Sequence, residues 1–292
     1  MSTNTTAAEH LAQVQASFDG TADTRLAEIM RAAVAHLHAF VEEVGLTRDE
    51  WFAGVDFLTR VGQMCDGQRQ ETILLSDTLG VSMLVEMLDH AGAPGTTEPT
   101  VFGPFHVDGA PARPLGASIV DREVPGGEPL TVRGTVRSLD GTPLGGAQLD
   151  VWQTAPNGLY DVQDPDQPPM NLRGLFTAAD DGTYAFRTVR PVAYPIPGDG
   201  PVGEMLRATG RHNWRPAHIH LVVSAPGHQP VITHVFDRES PYLDSDAVFG
   251  VRDSLVVDMG GGEATFDPVL EPRQGGGARP RPTPRSSLGW PP

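Results

Sequence analysis

Two histidines, His218 and His220, stand two residues apart in Arg215-Pro-Ala-His218-Ile-His220-Leu-Val-Val223, a run patterned like the start of a buried strand. Alternate strand residues share a face, so the two imidazoles, rooted roughly 7 Å apart, can turn toward one ion while Ile219, Leu221 and Val223 point into a core. For an isolated H-x-H the alternative is a pair of hydrogen-bonded strand histidines. Tyrosine breaks the tie. Only Tyr160, Tyr184, Tyr194 and Tyr242 occur in the chain. Tyr160 closes the turn-rich run Ala155-Pro-Asn-Gly-Leu-Tyr160-Asp161, and Tyr194 lies in Arg190-Pro-Val-Ala-Tyr194-Pro-Ile-Pro197, where proline restricts the backbone on both sides. A phenol with its ordinary pKa of about 10 becomes a ligand only beside a strongly acidic cation, and imidazole suits iron, copper, nickel and zinc alike. Two phenolates with two imidazoles point to ferric iron.

The elements that must hold these groups change character once, near residue 95. From Thr24 the apolar positions Leu26, Ile29, Met30, Ala33, Leu37, Phe40, Val41 and Val44 recur at three and four, which predicts an amphipathic helix ended by Gly45. Thr47-Arg-Asp-Glu50 has the form of a capping box for a second helix through Trp51, Phe52, Val55 and Leu58, and two more run through 72–79 and 81–88. Such stripes bury either against each other or against a second copy of the chain. His36 and His38 lie about 200° apart around their helix and cannot share an ion. After residue 100 the pattern is β: 130–136, 148–152, 184–188, 218–223 and 231–236 read as strands, with turns at Asp140-Gly141 and Asp181-Gly182. The expected fold is mainly β with a helical N-terminal domain. It divides into helices and linker over 1–99, a β-sandwich over 100–266 and a mobile Pro/Gly/Arg-rich tail over 267–292. The stretch 189–216 reads as a long functional loop around Tyr194.

Composition narrows the partners. With 37 acidic against 21 basic residues the net charge is −16, which disfavours nucleic acid and anionic membranes, both polyanions. One cysteine, Cys65, excludes an intrachain disulfide framework and every Cys-rich metal motif. Met1–His10 lacks a signal-peptide pattern and no run of about 18 apolar residues occurs, so a cytoplasmic location is expected.

The motifs L-L-S-D-T-L-G (74–80), V-F-G-P-F-H-V (101–107), D-V-W-Q-T-A-P-N-G-L-Y-D (150–161), R-P-V-A-Y-P-I-P (190–197), R-P-A-H-I-H-L (215–221) and Y-L-D-S-D-A-V-F-G-V (242–251) together resemble the intradiol ring-cleaving dioxygenase family, in particular its hydroxyquinol 1,2-dioxygenase branch. The likeness spans residues 25–258. It implies an Fe(III) cofactor on Tyr160, Tyr194, His218 and His220, with Tyr194 also accepting a substrate proton and Arg215 facing the substrate ring. For Arg215 the alternative is a rim salt bridge. The implied pocket wall is Leu74, Asp77, Val101, Phe102, Gly103, Pro104, Phe105, Ile196 and Pro197; without the resemblance most of these are core residues, and Asp77 is a helix cap. The implied reaction is cleavage of hydroxyquinol by O2 to 3-hydroxy-cis,cis-muconate, with catechol or chlorocatechol as the alternative substrate. The implied assembly is a homodimer through the helical segment, with a lipid at that interface. Two positions depart from the catechol-type pattern: His234 stands where a glutamine is expected, and Asp237-Arg-Glu-Ser240 lacks a Gly-Asp. A non-catalytic β-sandwich binding module and a zinc hydrolase are the rival classes, although zinc sites seldom use tyrosine.

Overall fold

The computed structural model describes residues 5–67, 69–90, 92–122 and 125–273. Contacts divide the chain into residues 1–60 and 61–292, earlier than the change of sequence character near residue 95. The first unit holds α1 (Ala7–Ala16), α2 (Thr24–Val44) and most of α3 (Arg48–Gln63). Their ends follow local chemistry. Asp23 caps α2 by accepting from the backbone N–H groups of Arg25 and Leu26 at 2.9 and 3.1 Å, Gly45 closes it at φ 60°, and Thr47 with Glu50 forms the capping box of α3. The sequence pattern gives no sign of α1, because Leu11 and Val14 are the only large apolar residues in its ten. Ala27 is the one buried residue of α2, whereas Leu37, Phe40, Val44, Trp51, Phe52 and Leu58 are exposed.

The second unit begins with α4 (Glu71–Thr78) and α5 (Val81–Asp89), separated by Gly80 at φ 73°. Strands β1 (Pro129–Thr135), β2 (Arg137–Ser138), β3 (Gln148–Trp152), β4 (Arg173–Thr177), β5 (Thr183–Val189) and β6 (Tyr194–Pro195) follow, then α6 (Pro201–Ala208), then β7 (Trp214–Arg215), β8 (His218–Ser224), β9 (Val231–Asp237), β10 (Val256–Val257), β11 (Glu263–Thr265) and β12 (Val269–Leu270). A five-stranded sheet ordered β10-β9-β8-β3-β4 faces a three-stranded sheet ordered β11-β1-β5. Leu130, Val132 and Phe186 from the smaller sheet share one core with Leu149, Val151, Ile219, Leu221 and Val223 from the larger. That is a β-sandwich, and the alternation along β8 is what sends the odd-numbered residues inward. Truncating one such leucine to alanine costs about 2–5 kcal/mol.

Two expectations are corrected. The segment 189–216 is not one long loop: β6 pairs antiparallel with β7, and α6 lies between them. Proline and glycine dominate its composition, but Pro201 occupies the first turn of α6, where a missing N–H costs nothing. Residues 267–273, assigned above to the tail, belong to the sandwich edge. There β12 pairs parallel with β2, Leu270 is buried, and Asp267 accepts from the Thr135 N–H at 2.7 Å. The rest of the expected tail, 274–292, lies outside the described residues.

Candidate metal centre

The face of β8 opposite the core presents His218 and His220, both buried. Register then decides their neighbours: Trp152 of β3 lies beside His220 on one side, and His234 of β9 lies beside it on the other. Tyr194 reaches the same place because the β6–β7 ladder sets it opposite Arg215, three residues before His218. Tyr160 arrives from the turn after β3, closed by backbone bonds between Gly158 and Ala155 and between Ala155 and Leu159 at 2.8 and 2.9 Å. Gly158 has φ 80°, and a Cβ there would stand 3.2 Å from Tyr194 Cβ. Only glycine fits both the backbone and the approach of the two tyrosines.

Four donor atoms converge. Tyr160 Oη is 2.9 Å from His220 Nε2 and 3.1 Å from Tyr194 Oη. His218 Nε2 is 3.2 Å from His220 Nε2 and 3.5 Å from Tyr194 Oη. Donors about 2.0–2.1 Å from one ion and at right angles to each other would stand about 2.9 Å apart, so this closed ring of 2.9–3.5 Å separations fits an ion at its centre. The other ring nitrogens point away from it: His218 Nδ1 meets the Pro216 carbonyl at 2.6 Å, and His220 Nδ1 meets His234 Nε2 at 2.7 Å. His218, His220 and His234 form a buried cluster with nitrogens within 4.8 Å. Yet His234 addresses the back of His220 and not the centre.

The electrostatics suit a cation. Burial lowers all three imidazoles, His218 to about 3 with Arg215 adding to the effect, so each is neutral and ligand-ready near pH 7. Burial also raises the phenols of Tyr160 and Tyr194. Neither ionises near neutrality unless a positive charge supplies what the buried site withholds. For these two phenols to act as ligands, the ion would have to be acidic enough to deprotonate them.

The carboxy-terminal residues 101–271 match the family model described as Dioxygenase, and residues 23–97 match that of the Catechol dioxygenase N terminus. The chain belongs to the intradiol ring-cleaving dioxygenases. It is 51% identical over 257 residues to 6-chlorohydroxyquinol 1,2-dioxygenase of Cupriavidus pinatubonensis, covering 86% of this chain and 92% of that one. It is 51% identical over 239 residues to hydroxyquinol 1,2-dioxygenase of a Rhizobium species, covering 81% and 80%. The solved structure of hydroxyquinol 1,2-dioxygenase from Pseudomonas putida superposes with a TM-score of 0.86 at 49% identity, covering 91% of this chain and 99% of that one.

In this intradiol dioxygenase the predicted wall residues divide into groups. Phe102 and Phe105 pack with Trp152, Tyr160 and Tyr194, and Phe105 stacks on Tyr160 with ring centroids 4.7 Å apart. Gly103 has φ 77°, and a Cβ there would stand 3.0 Å from His220 Cε1, so it backs an imidazole as much as it lines a pocket. Asp77 is buried and feels the charges of Arg215 and Asp246; burial raises its carboxyl above the usual aspartate value. Leu74, Val101 and Ile196 are buried outside the tyrosine cluster, Pro197 is half-buried, and Pro104 is exposed.

Arg215 is buried, not a rim residue. Its Nη1 lies 3.3 Å from His218 Nε2 and its Nε 3.1 Å from Asp246 Oδ1. Burial opposes the guanidinium charge, but the Asp246 carboxylate outweighs it and the pKa is raised. Asp246 also accepts from the backbone N–H of Gly250 at 2.9 Å. Sequence reasoning missed Asp246 although it stands inside the quoted 242–251 motif. The available signal was the demand of a buried arginine for a buried anion.

Proposed function

We propose that this enzyme opens the ring of hydroxyquinol (1,2,4-trihydroxybenzene) between the adjacent hydroxyl-bearing carbons, using O2 and giving 3-hydroxy-cis,cis-muconate, the tautomer of maleylacetate. Both oxygen atoms enter the product, so no outside reductant is needed. The observation that carries the proposal is the closed ring of donor atoms formed by Tyr160, Tyr194, His218 and His220. These four would hold Fe(III), which when bound would supply the Lewis acidity that ionises phenols and a template for an ortho-diol. Tyr194 Oη accepts a proton from a substrate hydroxyl, and Arg215, a fixed buried cation, stabilises negative charge as it develops on the ring. Asp246 positions Arg215, and Phe102 and Phe105 keep water from the ring.

Preference for the triol rests on Asp77. A third hydroxyl buried without a partner costs about 1–3 kcal/mol, and Asp77 brings a buried carboxylate into the electrostatic range of Arg215. The relatives named for hydroxyquinol support the same assignment. Oxygen uptake measured side by side should give the higher kcat/KM for hydroxyquinol, and Asp77→Ala should lower it far more than it lowers that for catechol. A wild-type preference for catechol, or equal losses on both substrates, would overturn the assignment of the pocket.

The assembly proposed with this activity is a homodimer paired through the exposed stripes of α2 and α3, with a lipid at that interface. Among the described residues no helix is long and apolar enough to cross a membrane.

A further inference from the structure

We propose that His234 is the positioning residue that selects the tautomer of His220 and so decides whether Nε2 of His220 is open to a metal ion. This rests on the assignment of His220 as a metal ligand.

The two candidate ligand histidines are held differently. Nδ1 of His218 lies 2.6 Å from the Pro216 carbonyl, which only accepts, so the proton must sit on Nδ1 and Nε2 is left as a lone pair facing the centre. His220 has no such backbone partner. Trp152 lies flat against its ring, with centroids 4.7 Å apart and planes at 14°, and a Cβ on Gly103 would stand 3.0 Å from its Cε1. Packing thus fixes where the ring lies without choosing which nitrogen carries the proton.

That choice falls to His234. Its ring stands at 90° to that of His220 with centroids 4.1 Å apart, and its Nε2 is 2.7 Å from His220 Nδ1. One proton lies between them. If His220 Nδ1 donates, His220 Nε2 has a lone pair for the ion and His234 carries its own proton on Nδ1, a buried atom with no hydrogen-bond partner among the described residues. If His234 Nε2 donates, His220 must carry its other proton on Nε2, aimed at Tyr160 Oη and His218 Nε2, and that proton occupies the place of the metal. A side chain that only accepts would enforce the first state, and an apolar one would leave His220 Nδ1 buried without a partner. Outer partners of this kind orient metal-ligating histidines generally.

The experiment compares His234→Gln, whose carbonyl oxygen can accept from Nδ1, with His234→Leu, which cannot. The readout is retention of ferric ion against a competing chelator, together with the position of the visible absorption band. The leucine variant is expected to hold the ion about 10- to 100-fold more weakly with a shifted band, and the glutamine variant to stay close to wild type. A leucine variant with wild-type retention and spectrum overturns the proposal. If the leucine variant does not fold, metal-free wild-type protein labelled with 15N-histidine decides. A coupling across the hydrogen bond with the proton on His220 Nδ1 supports the proposal, and a proton on His234 Nε2, or no coupling, overturns it. His220→Ala separates the two assignments. Unchanged retention in that variant removes His220 from the ligand set, whereas a defect there beside an unaffected His234→Leu removes only the role of His234.

Discussion

Tyr160 and Tyr194 are costly residues to ionise, because burial raises both phenols and their oxygens stand 3.1 Å apart. Ionising both so close together would set like charges against each other, a cost that an ion between them and the two imidazoles would offset. Tyr160→Phe keeps the ring that Phe105 stacks on and deletes the oxygen. The variant should lose or shift most of the phenolate-to-metal absorption and bind ferric ion at least about tenfold more weakly, as expected for loss of one ligand. An unchanged visible spectrum with full activity would remove Tyr160 from the ligand set. The buried imidazoles set the acid limit of the metal-free protein. An unfolded histidine gains its proton near pH 6.5, whereas His218 in the fold resists protonation down to about 3. Between those values the unfolded chain binds more protons, so stability is whole above pH 6.5 and is lost as the pH falls. The loss runs at up to about 1.4 kcal/mol per pH unit for each such group. Urea midpoints of the metal-free protein should therefore drop between pH 6.5 and 4; a flat series would contradict neutral buried imidazoles.

At the scale of elements, strand periodicity did much of the work and turns did the rest. The alternation in 218–223 made β8 and its two faces legible, because one face is core and periods of two survive in sequence. The convergence of Tyr160 and Tyr194 on it was legible only from residue types and the motif resemblance, since no spacing in the sequence brings residues 26 and 60 positions away to one point. Asp246 is hard to read from the sequence, since it contacts Arg215 across 31 residues through a loop fold that local patterns do not encode, and only the demand of a buried arginine for an anion points to it. Gly103 was placed in the pocket, but its positive φ and the nearness of His220 show why a glycine is needed. Gly103→Ala should push on the His220 ring and strain the backbone together, destabilising by about 1–3 kcal/mol and broadening or shifting the metal-bound spectrum. Thermal melting and absorption of the same sample check it, and an alanine variant like wild type in both would show that the approach is softer than it looks.

On the scale of the whole molecule, α2 and α3 leave large apolar side chains exposed, and apolar patches of this kind mark interaction sites. Leu37, Phe40, Val44, Trp51, Phe52 and Leu58 offer a surface for a twofold partner, the commonest way to bury such a stripe. Sedimentation at micromolar concentration should give twice the chain mass, and Phe40→Asp with Leu58→Asp should shift it toward one. A monomeric wild type would refute the pairing, and mass spectrometry of the native assembly tests for the accompanying lipid.

The parallel pairing of β11 with β1 and of β12 with β2 ties the last described strands to the first ones. Thr135 and Asp267, bonded across that seam, are 132 residues apart in the chain. On the ribosome, every group of the donor ring has therefore been synthesised before the smaller sheet can close. Contacts so distant in sequence form slowly, since the entropy of closing the long loop must be met before any of them is gained. Closing the sandwich is thus left to the end of synthesis, because its seam joins the first strands to the last described ones.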